Sequence, residues 1–139
     1  MADVSKYNGR FTLVSSEKFD DYMKALGVNI ALRAIGTTIK PTLEFIVNGD
    51  EWTIKLSSTF KNSVDTFKLN QELDEETLDG RKVKTTFTLE DGKLIQRQKA
   101  TQPGEKDSTI IRDWISHDEM ITTCTVDDVV CVRRFKRIA

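Results

Sequence analysis

The chain has 139 residues, 38% hydrophobic and 31% charged, with 21 Lys+Arg against 22 Asp+Glu and a net charge of −1. That length suits about one domain of ~100–150 residues, so residues 1–139 are read as a single unit. The charge balance excludes a supercharged nucleic-acid binder, though not a local basic patch. Seven glycines and two prolines are too few for a low-complexity chain.

In chain order, Met1–Tyr7 carries no apolar stretch, so no secretory signal is expected. Gly9–Val14 reads as a strand. In Glu17–Gly27, Phe19, Tyr22, Met23 and Leu26 fall at i, i+3, i+4 and i+7, one apolar face of a helix. Ser15 or Ser16 suits its N-cap, Asp20 and Asp21 its first turn, and Gly27 its stop. A second short helix is expected from Asn29 to about Thr37, with Ile30, Ala34 and Ile35 on one side and Gly36 weakening its end.

After Pro41 the period changes to 2. Thr42–Val47 and Glu51–Ser57 flank Asn48-Gly49-Asp50, a strong hairpin signal. Further strands are expected at Lys61–Leu69, Leu73–Thr77, Arg81–Leu89, Lys93–Ala100, Ser108–Ser116, Met120–Val126 and Val129–Ile138. In Arg81–Leu89 the residues Val83, Thr85, Phe87 and Leu89 share one face, so one side of the sheet is wet. About ten short strands in a meander must close or split to hide their edges. The pattern predicts an all-β fold: an antiparallel up-and-down barrel with a two-helix insert after the first strand. No apolar run approaches the ~20 residues of a membrane-spanning helix.

Two arginines stand out. Ile110, Arg112 and Trp114 share a face whose apolar ends suggest the interior. In Val129–Ile138, Cys131 and Phe135 argue for Arg133 pointing inward, while Val130 and Val132 argue for the opposite face, so pattern alone leaves Arg133 open. A buried guanidinium is costly and cannot shed its proton. Either it pairs internally with Asp or Glu, or it waits in a wet cavity for an anion such as a carboxylate. Both readings stand at this point.

Other chemistry is sparse. One histidine, His117, sits in a turn beside Asp118 and excludes multi-histidine metal sites. The acidic run Glu72, Asp74, Glu75, Glu76 lacks a calcium-loop framework and reads as a solvated turn. If Asp127-Asp128 is a two-residue turn, Cys124 lies opposite Cys131. Two inert buried thiols in a reducing compartment are the default reading, with a cross-strand disulfide as the alternative. No nucleophile–base set can be assembled, so no enzyme, cofactor or metal is expected.

The chain resembles the fatty-acid-binding protein family of intracellular lipid carriers. The segments that carry the likeness include Gly9-Arg10-Phe11-Thr12-Leu13, Phe19-Asp20-Asp21-Tyr22-Met23, Lys40-Pro41-Thr42, Ser58-Thr59-Phe60-Lys61-Asn62, Phe67-Lys68-Leu69, Asp74-Glu75-Glu76-Thr77 and Asp79-Gly80-Arg81-Lys82-Val83-Lys84. Ile110-Ile111-Arg112-Asp113 and Val130-Cys131-Val132-Arg133-Arg134-Phe135-Lys136 complete the set, in the family's order over almost the whole chain.

The resemblance implies a ten-stranded, slightly open barrel, a helical lid over residues 17–37 and an internal cavity for a long-chain fatty acid. It implies a carboxylate held at Arg112 and Arg133, with Phe135 at the position the family usually gives to tyrosine. Losing that phenol removes a bond worth ~0.5–1.5 kcal/mol, or about 3 to a charged acceptor. Phe19, Met23, Pro41, Ser58, Phe60, Arg81, Ile110 and Trp114 are the cavity or portal candidates. Lys18 replaces the small or polar residue usual before Phe-Asp, and the turn at Gln102–Asp107 is longer than usual. A monomer in the cytoplasm is expected, with entry into the nucleus left open and no nucleic-acid partner. Lys24, Arg33, Lys40 and Lys61 offer the lid a transient contact with anionic membrane. Retinoic acid, a bile-acid-like ligand or a hydrophobic xenobiotic is the alternative cargo. A barrel filled by side chains, acting as an interaction or peripheral-membrane module, is the alternative role.

Overall fold

Strand β1 runs Gly9–Glu17, and two helices follow, α1 at Phe19–Ala25 and α2 at Ile30–Thr38. The rest of the chain is β2 Thr42–Asn48, β3 Glu51–Ser57, β4 Ser63–Lys68, β5 Leu73–Glu76, β6 Lys82–Glu90, β7 Lys93–Ala100, β8 Ser108–Trp114, β9 Glu119–Val126 and β10 Val129–Arg137. These come from a computed structural model that describes residues 5–139. The start at Met1–Val4, read above as free of an apolar leader, lies outside them.

All ten strands form one antiparallel sheet in the order β4-β3-β2-β1-β10-β9-β8-β7-β6-β5. Strands adjacent in sequence pair with one another except β4 and β5, and β1 pairs with β10 as well as β2, with Phe11 opposite Arg137 and Leu13 opposite Phe135. The two ends of the sheet are β4 and β5, so the barrel stays slightly open there. Tight turns fix the register. Asp91 and Gly92 both take positive φ, 52° and 78°, between Glu90 and Lys93, the backbone that two-residue hairpins demand.

The first helix begins later than its apolar spacing predicts. Neither Ser15 nor Ser16 caps it. A register shift between Leu13 and Ser15 lets β1 continue, and Ser16 and Glu17 pair with Arg133 and Val132. The backbone of residues 15–17 is thereby consumed by the ladder. Lys18, at φ 62°, turns the chain into α1 with no side-chain cap. Helix α2 is capped as its sequence suggests, with Asn29 Oδ1 accepting from Leu32 N at 2.9 Å. The side expected to pack does not: Ile30 is 74% exposed and no α2 residue is fully buried. Leu32 packs instead, and Gly36 approaches α1 so closely that a Cβ there would lie 2.9 Å from Met23 Sδ.

Two apolar clusters frame the interior. The floor joins Tyr7, Phe11, Phe45, Trp52, Phe67, Phe87 and Trp114 with aliphatic neighbours. Each fully buried large side chain there contributes ~1.5–3 kcal/mol. Arg137 ties the floor together, donating to the carbonyls of His117 at 2.6 Å, Asn8 at 2.7 Å and Lys6 at 3.0 Å. The roof cluster packs Tyr22, Met23, Leu26 and Val28 of the helical insert against Cys124, Val126 and Cys131. Tyr22 Oη meets Ser108 Oγ at 2.5 Å and fixes α1 to β8.

Candidate functional site

An internal cavity of about 300 Å³ lies between floor and roof, at the lower end of the ~300–1,000 Å³ range of ligand sites. Phe19, Met23 and Leu32 of the insert roof it, Pro41, Leu43, Ile54 and Ile110 form its sides, and Phe60 and Leu78 stand at its rim. Both arginines reach this space. The ambiguity at Arg133 resolves inward: Cys131, Arg133 and Phe135 are all buried, while Val130 is exposed.

The arginines are held in one register row. Arg112 pairs with Thr122, and Thr122 pairs with Arg133, across three adjacent strands. Arg112 donates one bond, from Nη1 to Gln96 Oε1 at 2.9 Å. The guanidinium of Arg133 lies 3.7 Å from the ring centre of Phe19. Neither arginine has an ion pair within 4.0 Å among the described residues, and the Nε of each is buried without a partner. Burial disfavours the charged form of both, yet arginine remains protonated in proteins. The result is two positive charges, neither in a direct ion pair among the described residues, facing a mostly apolar space.

A polar seam runs from Arg112 toward the open edge of the barrel. Glu75 Oε1 accepts from Thr85 Oγ1 at 2.6 Å and from the Nε2 atoms of Gln96 and Gln98, each at 3.1 Å. Asp65, on the other side of the opening, faces the same cavity. Burial pushes its carboxyl up, Glu75 pushes it further, and Arg112 opposes both. The acidic run therefore does more than line a solvated turn: it is largely strand β5, whose alternation sends Glu75 inward.

The remaining candidates separate by place. Phe19, Met23, Pro41, Phe60, Arg81 and Ile110 line the cavity. Arg81 is already engaged by Asp79, from Nε at 2.8 Å and Nη2 at 3.3 Å. Ser58, Trp114 and Phe135 lie off the wall. Ser58 organises the rim turn, its Oγ accepting from Phe60 N at 3.2 Å and Lys61 N at 3.1 Å. Trp114 sits one inward position below Arg112 and packs edge-on to Tyr7 at 4.8 Å and Phe45 at 5.2 Å. Phe135 joins the same floor. Glu75, Gln96, Gln98 and Thr122 were not anticipated. The period-2 argument used for the arginines finds the last three, since Leu94, Gln96 and Gln98 share one buried face, as do Met120, Thr122 and Cys124.

Cys124 and Cys131 are opposite one another, buried and free. The hydrogen bond from Cys131 holds the Cys124 thiol down, and that bond together with burial pushes Cys131 up. Of the basic residues on or near the insert, Arg33 is held by Asp20 at 3.0 Å and Lys61 donates to the Leu78 carbonyl at 2.9 Å, while Lys24 and Lys40 remain exposed.

This barrel, with an insert over a cavity that holds two unpaired arginines, has clear relatives. Residues 8–138 match the model of the lipocalin / cytosolic fatty-acid binding protein family. The chain belongs to that family. Fatty acid-binding protein homolog 5 of Caenorhabditis elegans is 43% identical over 134 residues, which cover 96% of this chain and 98% of that protein. Sodium/calcium exchanger regulatory protein 1 of Doryteuthis pealeii is 44% identical over 130 residues, 94% of this chain and 95% of its own. The structure of a Schistosoma mansoni fatty acid binding protein in complex with arachidonic acid superposes with a TM-score of 0.91 at 40% identity, covering 99% of this chain and all of that one. A binding protein of this family holds its cargo and does not turn it over.

Proposed function

We propose that this protein is a monomeric cytoplasmic carrier of a long-chain fatty acid, with the carboxylate held between Arg112 and Arg133 and the tail lying along the apolar wall toward Phe60. The observation that carries this reading is the pair of cavity-facing arginines without a carboxylate partner within 4.0 Å among the described residues. A barrel filled by its own side chains would be expected to neutralise them. Here Glu75 is tied to Thr85, Gln96 and Gln98 instead. The name of the Caenorhabditis relative and the arachidonic acid bound in the Schistosoma structure favour the same cargo.

The energetics are adequate. Each buried methylene is worth ~0.8 kcal/mol, so ten give about 8 kcal/mol before ordering costs, near micromolar affinity. Charge-assisted bonds to the arginines then recover the desolvation of the headgroup and orient the chain. Tail length should be read loosely and headgroup charge strictly. Transient contact with anionic membrane during transfer would fall to Lys24 and Lys40, the basic insert residues not engaged internally.

Titration of delipidated protein with oleate and with methyl oleate tests the assignment. Oleate binding at least tenfold tighter than the ester supports it, and equal affinities overturn it. A panel of retinoic acid and a bile acid in the same assay decides the cargo among carboxylates. The squid relative's name favours a second reading, an accessory to a membrane protein. That role would be compatible with an occupied or an empty barrel, and the oleate titration separates the two.

A further inference from the structure

The register row that holds the arginines also holds a hydroxyl. Thr122 stands between Arg112 and Arg133 on β9, is 6% exposed, and its Oγ1 has no hydrogen-bond partner among the described residues. The Nε atoms of both arginines are in the same state. Directly opposed residues of an antiparallel ladder have Cβ atoms ~4.5–5.5 Å apart. One short row therefore gathers three buried polar atoms that folded proteins seldom leave unpaired.

The chemistry of these atoms limits what can satisfy them. The two guanidinium N–H groups are donors only, and the hydroxyl donates or accepts. If the hydroxyl accepts from one arginine, its own hydrogen and the other Nε–H still lack an acceptor. Among the described residues no protein group supplies one: Gln96 Oε1 is used by Arg112 Nη1, Glu75 is tied to Thr85, Gln96 and Gln98, and neither Glu75 nor Asp65 forms an ion pair with the arginines. A carboxylate has two oxygens and about four lone-pair sites, enough for all three donors. A neutral alcohol has one oxygen and brings a donor of its own. Phe135 supplies no hydroxyl and is packed into the floor, so the hydroxyl in this row is that of Thr122 on β9.

We infer that Thr122 is a specificity-determining residue of the headgroup site, its hydroxyl donating to an oxygen of a ligand carboxylate seated between Arg112 and Arg133. The inference rests on the carboxylate-carrier reading above and deepens it.

Thr122→Val exchanges the hydroxyl for a methyl at nearly constant volume, and Thr122→Ser keeps the hydroxyl. Delipidated full-length protein is titrated with oleate and with oleyl alcohol. Thr122→Val is expected to weaken oleate about tenfold, or ~1.4 kcal/mol, and to leave oleyl alcohol within about twofold. Thr122→Ser retains oleate binding, and Thr122→Ala stands in for valine if that variant does not fold. Equal losses for acid and alcohol would reduce Thr122 to a packing residue and overturn the inference, as would unchanged oleate affinity. Arg112→Gln with Arg133→Gln separates the two levels. If that variant loses oleate while Thr122→Val keeps it, the Thr122 assignment alone falls. If the arginine variant binds oleate as the parent does, the carboxylate reading falls and takes Thr122 with it.

Discussion

The guanidinium of Arg133 stacks 3.7 Å from the ring centre of Phe19, joining β10 to the first residue of α1. Both residues line the cavity, so the contact lies where a ligand would arrive. A desolvated cation–π pair is worth up to ~2 kcal/mol. It gives one buried cation an electron-rich face and gives the short helix α1 an anchor.

A double-mutant cycle with Phe19→Leu and Arg133→Gln should show that link. Phe19→Leu is expected to lower stability in urea unfolding and Arg133→Gln to lower it less or raise it, since the costly buried charge leaves with the stack; the double variant should be more stable than the sum of the single effects by ~0.5–2 kcal/mol. Additive effects would mean that the stack contributes nothing beyond packing.

Tyr22 is the second anchor of α1. Its hydroxyl meets Ser108 Oγ at 2.5 Å in a buried setting. Tyr22→Phe leaves the Ser108 hydroxyl short of a partner, at a cost of ~1–3 kcal/mol. The urea midpoint should fall with an unchanged m-value, and amide exchange in α1 should quicken. Unchanged exchange with a lowered midpoint would place the effect in the barrel wall.

Asp65 and Asp79 should respond to pH with opposite signs. Burial raises the Asp65 carboxyl, with Glu75 adding and Arg112 opposing. A carboxyl raised above its unfolded value of ~3.9 weakens the fold as pH climbs from that value through the folded one. Asp65→Asn is therefore expected to raise the thermal midpoint at pH 7, and the gain should vanish below about pH 3.9. Burial would also raise Asp79, but hydrogen bonds from Arg81 and Thr77 and the Arg81 charge hold it below the usual range. Its contribution is present above the unfolded value and is lost as pH falls through the folded one. Asp79→Asn should lower the midpoint at pH 7 by an amount that shrinks in acid. Melts of both variants across that range check the pair, and shifts of the same sign at pH 7 would contradict it.

How legible each feature was depends on whether its cause is local. The hairpin at Asn48–Glu51 and the turn at Asp127-Asp128 follow from short-range backbone chemistry, and both form where the residues suggest. Arg112 was readable because Ile110 and Trp114 bracket it on one face. Arg133 was not, because Val130 and Val132 make the outer face of β10 apolar too. The extension of β1 to Glu17 depends on a bulge that lets it pair with β10, more than a hundred residues away, and no local signal competes with the apolar spacing of Phe19, Tyr22 and Met23. Glu75 was hidden inside an acidic run. Only the ladder with β6, which sets Glu75 opposite Val83, sends it inward. Thr122 is inconspicuous as a residue and acquires meaning from its two ladder partners.

Native mass spectrometry of protein purified without delipidation, beside the Arg112→Ala, Arg133→Ala double variant, tests the central claim most directly. The carrier reading predicts an adduct of fatty-acid mass on the parent chain that is lost or strongly reduced in the variant. A parent chain that carries no adduct and also fails to take up added oleate would contradict it.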